Sequence, residues 1–248
     1  MIHSSSKPVY GLRPLIEAIE SGKTLNKLFL QKGLRGANYQ ILHELIRKHR
    51  IPFQGVPLEK LNRLTQKNHQ GVFAFMSPVD FYRLEDLLPQ IYEAGKTPLL
   101  LVLDGITDVR NFGAIVRTAE CGGVDAVIIP AKGAAPVNDD AIKTSAGAIF
   151  KLPVCKENDL VRSLRFLKNS GVRLIAATEK AGAIFYKSEL LGPLAIILGN
   201  EEEGISSSCL ALADERLKLP VLGEITSLNV SVASGVLLYE TMRQRLGL

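Results

Sequence analysis

Apolar residues recur along this chain with two different periods. Over residues 8–20, Leu12, Leu15, Ile16 and Ile19 share one helical face, and over 38–49 Ile41, Leu42, Leu45 and Ile46 do the same. Between and after them lie short apolar runs at 25–30, 52–56 and 72–76, which read as strands, with a short helix at 58–65. This predicts a small α/β unit of roughly 75 residues, near the lower size for independent folding. Residues 79–97, with Pro78, Pro89 and Pro98 at or near their limits and a helical stretch at 84–93, read as a linker.

From residue 98 the pattern becomes a regular alternation. Strands are expected at 99–103, 126–129, 151–154, 172–177, 194–198 and 216–219. Helices are expected at 112–121, 139–147, 159–169, 206–213 and 228–245. The strands are apolar on both faces, which implies a parallel sheet covered on both sides. Ligands of such sheets sit beyond the carboxyl ends of the strands. Asp104, Thr178, Gly199 and Pro220 all fall just after strands, so the segments around them share one rim. The domain reading is therefore 1–78, a linker at 79–97, and 98–248.

Composition narrows the class. No apolar run among the 248 residues is long enough to span a bilayer, and Met1–Lys7 is polar, unlike a signal peptide. Cys121, Cys155 and Cys209 are odd in number, scattered, and read as core-filling thiols in a reducing compartment. His3, His43, His49 and His69 show no metal-ligand spacing, so no metal is expected. The net charge of +5 conceals a split: residues 1–78 hold 12 Lys+Arg against 4 Asp+Glu, and residues 79–248 hold 18 against 21. A basic module joined to a different machine suggests a polyanionic partner, although a basic surface can also be merely solvated.

The chemistry gathers in three stretches. There is no G-x-G-x-x-G after the first long strand, and no G-x-S-x-G, H-E-x-x-H or P-loop. Residues 219–233 pass from a strand end through a loop to the last helix, with Ser227 and Asn229 where free backbone N–H groups collect. Taken alone, these two would simply cap a core helix. Gly199 either makes a turn or lets a ligand approach the backbone. Glu201-Glu202-Glu203 alone would be a solvated acidic loop. Asn111 and Arg117 stand six residues apart, so they do not share a helical face; Asn111 is expected at the cap and Arg117 further along.

In order and content these stretches resemble the three signature motifs of the SpoU/TrmH-type RNA ribose 2′-O-methyltransferases, of the SPOUT or α/β-knot class. They are Leu-Asp-Gly-Ile-Thr-Asp-Val-Arg-Asn-Phe-Gly-Ala-Ile-Val-Arg-Thr-Ala at 103–119, Ile-Leu-Gly-Asn-Glu-Glu-Glu-Gly-Ile-Ser at 197–206, and the stretch at 219–233. Within the family the pattern looks most like the bacterial 23S rRNA guanosine 2′-O-methyltransferases. The resemblance implies a parallel-sheet domain with a deep C-terminal trefoil knot. In front of it stands a small ribosomal-protein-like α/β substrate-binding domain, whose ending Asn68-His69-Gln70-Gly71 resembles. Without the family, His69 is an ordinary loop histidine.

The resemblance further implies S-adenosyl-L-methionine as cofactor, with backbone contacts at Gly199, Leu219 and Leu228, and Thr178 nearby. It makes Asn111, Arg117, Glu201, Ser227 and Asn229 the catalytic set, with Arg117 facing the cofactor methyl as general base. Arginine, however, stays protonated in proteins. A cation there is more simply a clamp on the substrate phosphate and a stabiliser of the developing alkoxide. Glu201, a water or the phosphate would then take the proton. A side chain at Gly199 is expected to crowd the cofactor while leaving the fold intact. Implied partners are RNA, with rRNA foremost, and a second copy of the chain; no DNA and no membrane are expected, and the location is cytoplasmic. The alternatives are a tRNA 2′-O-methyltransferase, an rRNA-methylating relative that confers antibiotic resistance, and a non-catalytic RNA-binding or ribosome assembly factor. The intact motif residues argue against the last.

Overall fold

The computed structural model describes residues 8–49 and 51–248; the polar stretch Met1–Lys7, His3 included, lies outside them. The chain forms two compact units, residues 1–80 with 137–139, and 81–136 with 140–248.

The first unit comprises β1 (Pro8–Tyr10), α1 (Leu12–Glu20), β2 (Leu25–Gln31), α2 (Ala37–Lys48), β3 (Gln54–Val56), α3 (Leu58–Leu64) and β4 (Val72–Met76). Its sheet runs β1-β4-β2-β3, with β2 and β3 parallel and the other pairs antiparallel. The period of two in a strand divides its residues between two cores. Leu28, Leu30, Val72 and Ala74 pack with Leu15, Ile19, Leu42 and Ile46 from α1 and α2. Phe29 and Phe73 face the other way, onto Val56 and Leu61. Residues 8–10, expected to be helical, are instead a strand along β4; Gly11, at φ 93°, separates them from α1. His69 is not an ordinary loop residue. It is buried, its Nδ1 accepts from the Gly71 N–H at 3.0 Å, and its Nε2 lies 2.9 Å from Asn62 Oδ1. Beside it, Gln70 Oε1 accepts from the Leu12 N–H, so the 68–71 turn ties α1, α3 and β4 together.

The second unit comprises α4 (Leu84–Glu93), β5 (Leu99–Asp104), α5 (Val109–Cys121), β6 (Ala126–Pro130), α6 (Asp139–Thr144), β7 (Val154–Glu157), α7 (Leu160–Asn169), β8 (Arg173–Ala177), β9 (Ala183–Ile184), β10 (Leu194–Gly199), α8 (Ser207–Leu210), β11 (Glu215–Lys218) and α9 (Val230–Leu246). All seven strands are parallel, in the order β7-β6-β5-β10-β8-β11-β9. Leu100, Val102, Ala195 and Ile197 pack on one face with Leu164 and Leu167 of α7 and with Leu84, Leu88 and Ile91 of α4. The stretch 79–97 thus does more than connect: its helix is part of this core. Leu101, Leu103, Ile196 and Leu198 are buried on the other face. There α9 packs on β10 and along α5.

Other expectations shift too. The strand expected at 151–154 lies at 154–157, because Ala148–Phe150 forms a 3-10 turn and Pro153 has no N–H to give a ladder. The helix expected from 112 begins at 109, since Asp108 caps it by accepting from the Asn111 N–H at 2.8 Å; Asn111 is inside the first turn, not at the cap. Cys121 is exposed, while Cys155 and Cys209 are buried as read.

The late strand β10 enters between β5 and β8, in register so that Gly199 stands beside Asp104. After β11, residues 219–229 lead back to the middle of the sheet, where α9 docks. A knotted arrangement asks for this placement of the last segment. Among the described residues no helix is long and apolar enough to cross a membrane.

Candidate active site

The carboxyl ends of β8, β10 and β11 and the start of α9 enclose a cleft of about 460 Å³. That is within the roughly 300–1,000 Å³ range of small-molecule sites. Its walls are the segments 177–180, 198–205 and 226–230, with Leu217, Leu219 and Val221 and, from α9, Ala233 and Leu237. All four residues expected to touch a cofactor, Thr178, Gly199, Leu219 and Leu228, line it. So do Glu201, Ser227 and Asn229.

Asn111 reaches the cleft through hydrogen bonds. Its Nδ2 donates to Glu201 Oε1 at 2.7 Å, and its Oδ1 accepts from Asn229 Nδ2 at 3.1 Å. Asn229 Nδ2 also donates to Glu201 Oε1, at 2.8 Å. Asn229 Oδ1 is taken by Ser231, from the backbone N–H at 2.9 Å and from the hydroxyl at 2.6 Å, so this residue caps α9 and joins the network at once. Residues up to 118 positions apart are thereby locked together. Among the described residues, the second carboxylate oxygen of Glu201 accepts nothing, and the Ser227 hydroxyl has no partner.

Arg117 stands apart. It is exposed on α5, lines no part of the cleft, and makes no hydrogen bond or ion pair among the described residues. Helix geometry explains this. Gly113, one turn before it, packs against Thr144 and Ser145, and Glu120, one turn after, pairs with Lys151. That row faces the 144–151 segment, whereas Asn111 faces Glu201. The expectation that Arg117 faces the cofactor methyl is not met within one chain.

Gly199 is small for a different reason from the one expected. A Cβ at 199 would overlap the backbone of Gly204 and Ile205. The close approach is that of the loop to itself, through the paired Asn200 and Gly204. A side chain there would break the loop.

Two further residues build the rim. Asn200 Nδ2 donates to the Gly105 carbonyl at 3.0 Å, and its Oδ1 accepts from the N–H groups of Glu202 at 2.7 Å and Glu203 at 3.3 Å. Asp104 Oδ2 accepts from the Ser206 N–H at 2.8 Å. These side chains hold the loop after β5 against the loop after β10. The only sequence signal for them was an amide and a carboxylate at strand ends.

Comparison with known proteins places the chain in a family. Residues 98–239 match the model of the SpoU rRNA Methylase family. Residues 8–82 match that of RNA 2′-O ribose methyltransferase substrate binding. The chain is 34% identical over 237 residues to YacO of Bacillus subtilis strain 168, a protein assigned to the TrmH family of tRNA/rRNA methyltransferases, covering 96% of this chain and 95% of that one. It is 38% identical over 218 residues to the 23S rRNA (guanosine-2′-O-)-methyltransferase RlmB of Photorhabdus laumondii, covering 86% and 88%. Its fold is like that of the SpoU methyltransferase AviRb of Streptomyces viridochromogenes, solved with AdoMet, at TM-score 0.60 and 24% identity, over 97% of this chain and 90% of that one.

Proposed function

The chain belongs to the SpoU/TrmH family of RNA methyltransferases, and from that premise we propose that it methylates a guanosine ribose 2′-OH of 23S rRNA in the cytoplasm. The enzyme is an S-adenosyl-L-methionine-dependent RNA ribose 2′-O-methyltransferase. One observation carries the reading: Glu201, bound to Asn111 and Asn229, stands at the mouth of a cleft of cofactor size. The cleft's lining suits the group, since Thr178, Gly199, Leu219 and Leu228 line it together with the polar residues Glu201, Ser227 and Asn229. When bound, S-adenosyl-L-methionine supplies a methyl on a sulfonium that already leaves easily.

The protein must then orient the ribose and handle one proton. Asn111 and Asn229 fix the Glu201 carboxylate through Oε1, leaving its other oxygen to accept the 2′-OH proton. Ser227, on the lip of the cleft, orients the hydroxyl. Arg117, a cation with no internal partner, holds the substrate phosphate and steadies the developing alkoxide. A base role for it would need a deprotonated guanidine, whereas arginine stays protonated in proteins. The basic first unit binds structured RNA through its phosphates.

The working form is a homodimer. Val232 and Tyr239 of α9 and Leu222 and Ile225 of the preceding loop are exposed apolar residues, as a shared interface would leave them in one chain. Light scattering should report twice 27.0 kDa; a monomer at micromolar concentration contradicts this. The whole reading is tested by incubating the protein with methyl-labelled S-adenosyl-L-methionine and total RNA, then mapping the label. Label on a 23S guanosine 2′-oxygen is the expected result. Label in tRNA overturns the target, and no label overturns the activity.

A further inference from the structure

One face of the first unit carries features that phosphate binding does not use. On α2, Tyr39 and His43 lie one turn apart, their ring centroids 5.8 Å from each other. The His43 ring then meets Phe53 nearly edge-on at 6.4 Å. The row is anchored at one end, where Tyr39 packs against the core. It is open at the other, where Phe53 is 47% exposed just before β3, the edge strand of the sheet. A phenyl ring left in water at the end of a supported aromatic row has an unoccupied face.

The surroundings say what kind of molecule would cover it. Arg47 follows His43 by four residues and so lies one turn further along the same helical face. Arg35 is exposed in the loop leading into α2. The stem of Lys32 runs alongside Gly55, two residues after Phe53. None of these three cations has a hydrogen-bond or ion-pair partner among the described residues. Glu44 is the one acidic residue on α2. An apolar protein partner would not need three uncompensated cations on the segments that carry and flank this aromatic row. A nucleic acid needs both: phosphates meet cations, and a base finds a π-face. A continuous RNA helix keeps its bases stacked inside, and its deep major groove is closed to side chains. Only an unpaired nucleotide can place a base on a protein ring.

We infer that Phe53, backed by His43 and Tyr39, is a stacking platform for an unpaired base, with Arg35, Arg47 and Lys32 holding the flanking phosphates. This rests on the RNA-binding reading of the first unit and deepens it: the substrate presents a loop or bulge to this domain, not a continuous duplex.

The test uses the full chain and two probes, an RNA hairpin with a purine loop carrying 2-aminopurine and the same stem closed as a blunt duplex. Binding of the hairpin should quench the 2-aminopurine. Phe53→Leu, which keeps an apolar residue but removes the ring, should abolish the quench and weaken hairpin binding roughly tenfold, with the duplex unchanged. His43→Ala should act in the same direction more weakly, and unchanged melting curves would establish that both variants fold. Arg47→Glu should weaken both RNAs. If wild-type protein binds both RNAs while Phe53→Leu weakens neither, or both equally, the stacking inference falls and RNA binding stands. If wild-type protein binds neither, the RNA-binding reading itself fails.

Discussion

The cleft of the second unit and the aromatic face of the first unit solve opposite problems with similar residue types. At the cleft, polar side chains are spent on one another: Asn111, Glu201 and Asn229 are tied together, and Asn200 and Asp104 are tied to backbone. On the first unit Arg35, Arg47 and Lys32 are spent on nothing. Chemistry needs groups already in place, because reorganising them during reaction adds to the barrier. A grip on a flexible polyanion needs charges that are free to meet it. By this measure Arg117, although it lies on the same helix as Asn111, belongs with the gripping groups.

Several substitutions would break or sharpen that division. The largest effect should come from Glu201→Gln. The amide oxygen can still accept from Asn111 and Asn229, so the network survives while the proton acceptor is lost. Single-turnover methylation at saturating RNA and cofactor should fall about 10³-fold. A near-normal rate would move the proton to water or phosphate.

Arg117→Ala should slow the same step about 10²-fold, with the affinity for S-adenosylhomocysteine unchanged. Arg117→Lys should recover part of the rate if the contact is a simple charge, and none if the fork of the guanidinium is needed. A wild-type rate for Arg117→Ala leaves an ordinary surface arginine.

Gly199→Val tests whether the locked region is locked by its own backbone. The overlap with Gly204 and Ile205 should lower stability by about 1–3 kcal/mol and weaken cofactor binding with it. An unchanged melting temperature with lost cofactor affinity would restore the simpler view that only the ligand is crowded.

Salt separates the two regions directly. RNA affinity should drop roughly tenfold for every two phosphates engaged when salt rises fourfold, while cofactor affinity hardly moves. Equal salt dependence would erase the distinction.

The smallest effect concerns the thiols. Burial pushes the Cys155 thiol up to about 12 and raises that of Cys209, so neither should be alkylated in the folded protein at pH 8. Cys121, which is exposed, should react without loss of activity. Rapid labelling of Cys155 would mean that the core opens.

What could be read from the sequence follows the range of the interactions involved. Runs such as Leu99–Leu103 and Leu194–Leu198 announce buried strands because burial acts on each residue separately. The pair Ser227 and Asn229 could be placed at a helix start by local rules, and Asn229 is the cap. β1 is three residues long and exists only because β4 lies beside it, so no local pattern marks it. Asn200 bonds to Gly105 across 95 positions, and its role was invisible for the same reason. Gly199 was read as a place where a ligand approaches the backbone, but what comes close there is the chain's own folded backbone. Arg117 was legible as a motif residue; its direction depended on the packing of Gly113 against α6.

The last helix has a consequence for the order of events during synthesis. Glu201 is oriented by Asn229, and the strand that carries it to the rim, β10, slots between two earlier strands. No N-terminal fragment of this chain, however long, holds a finished site until the residues after 229 have docked. Contacts joining such distant positions form slowly. A fragment that stops before Asn229 should therefore show no methyl transfer, however well its sheet is formed.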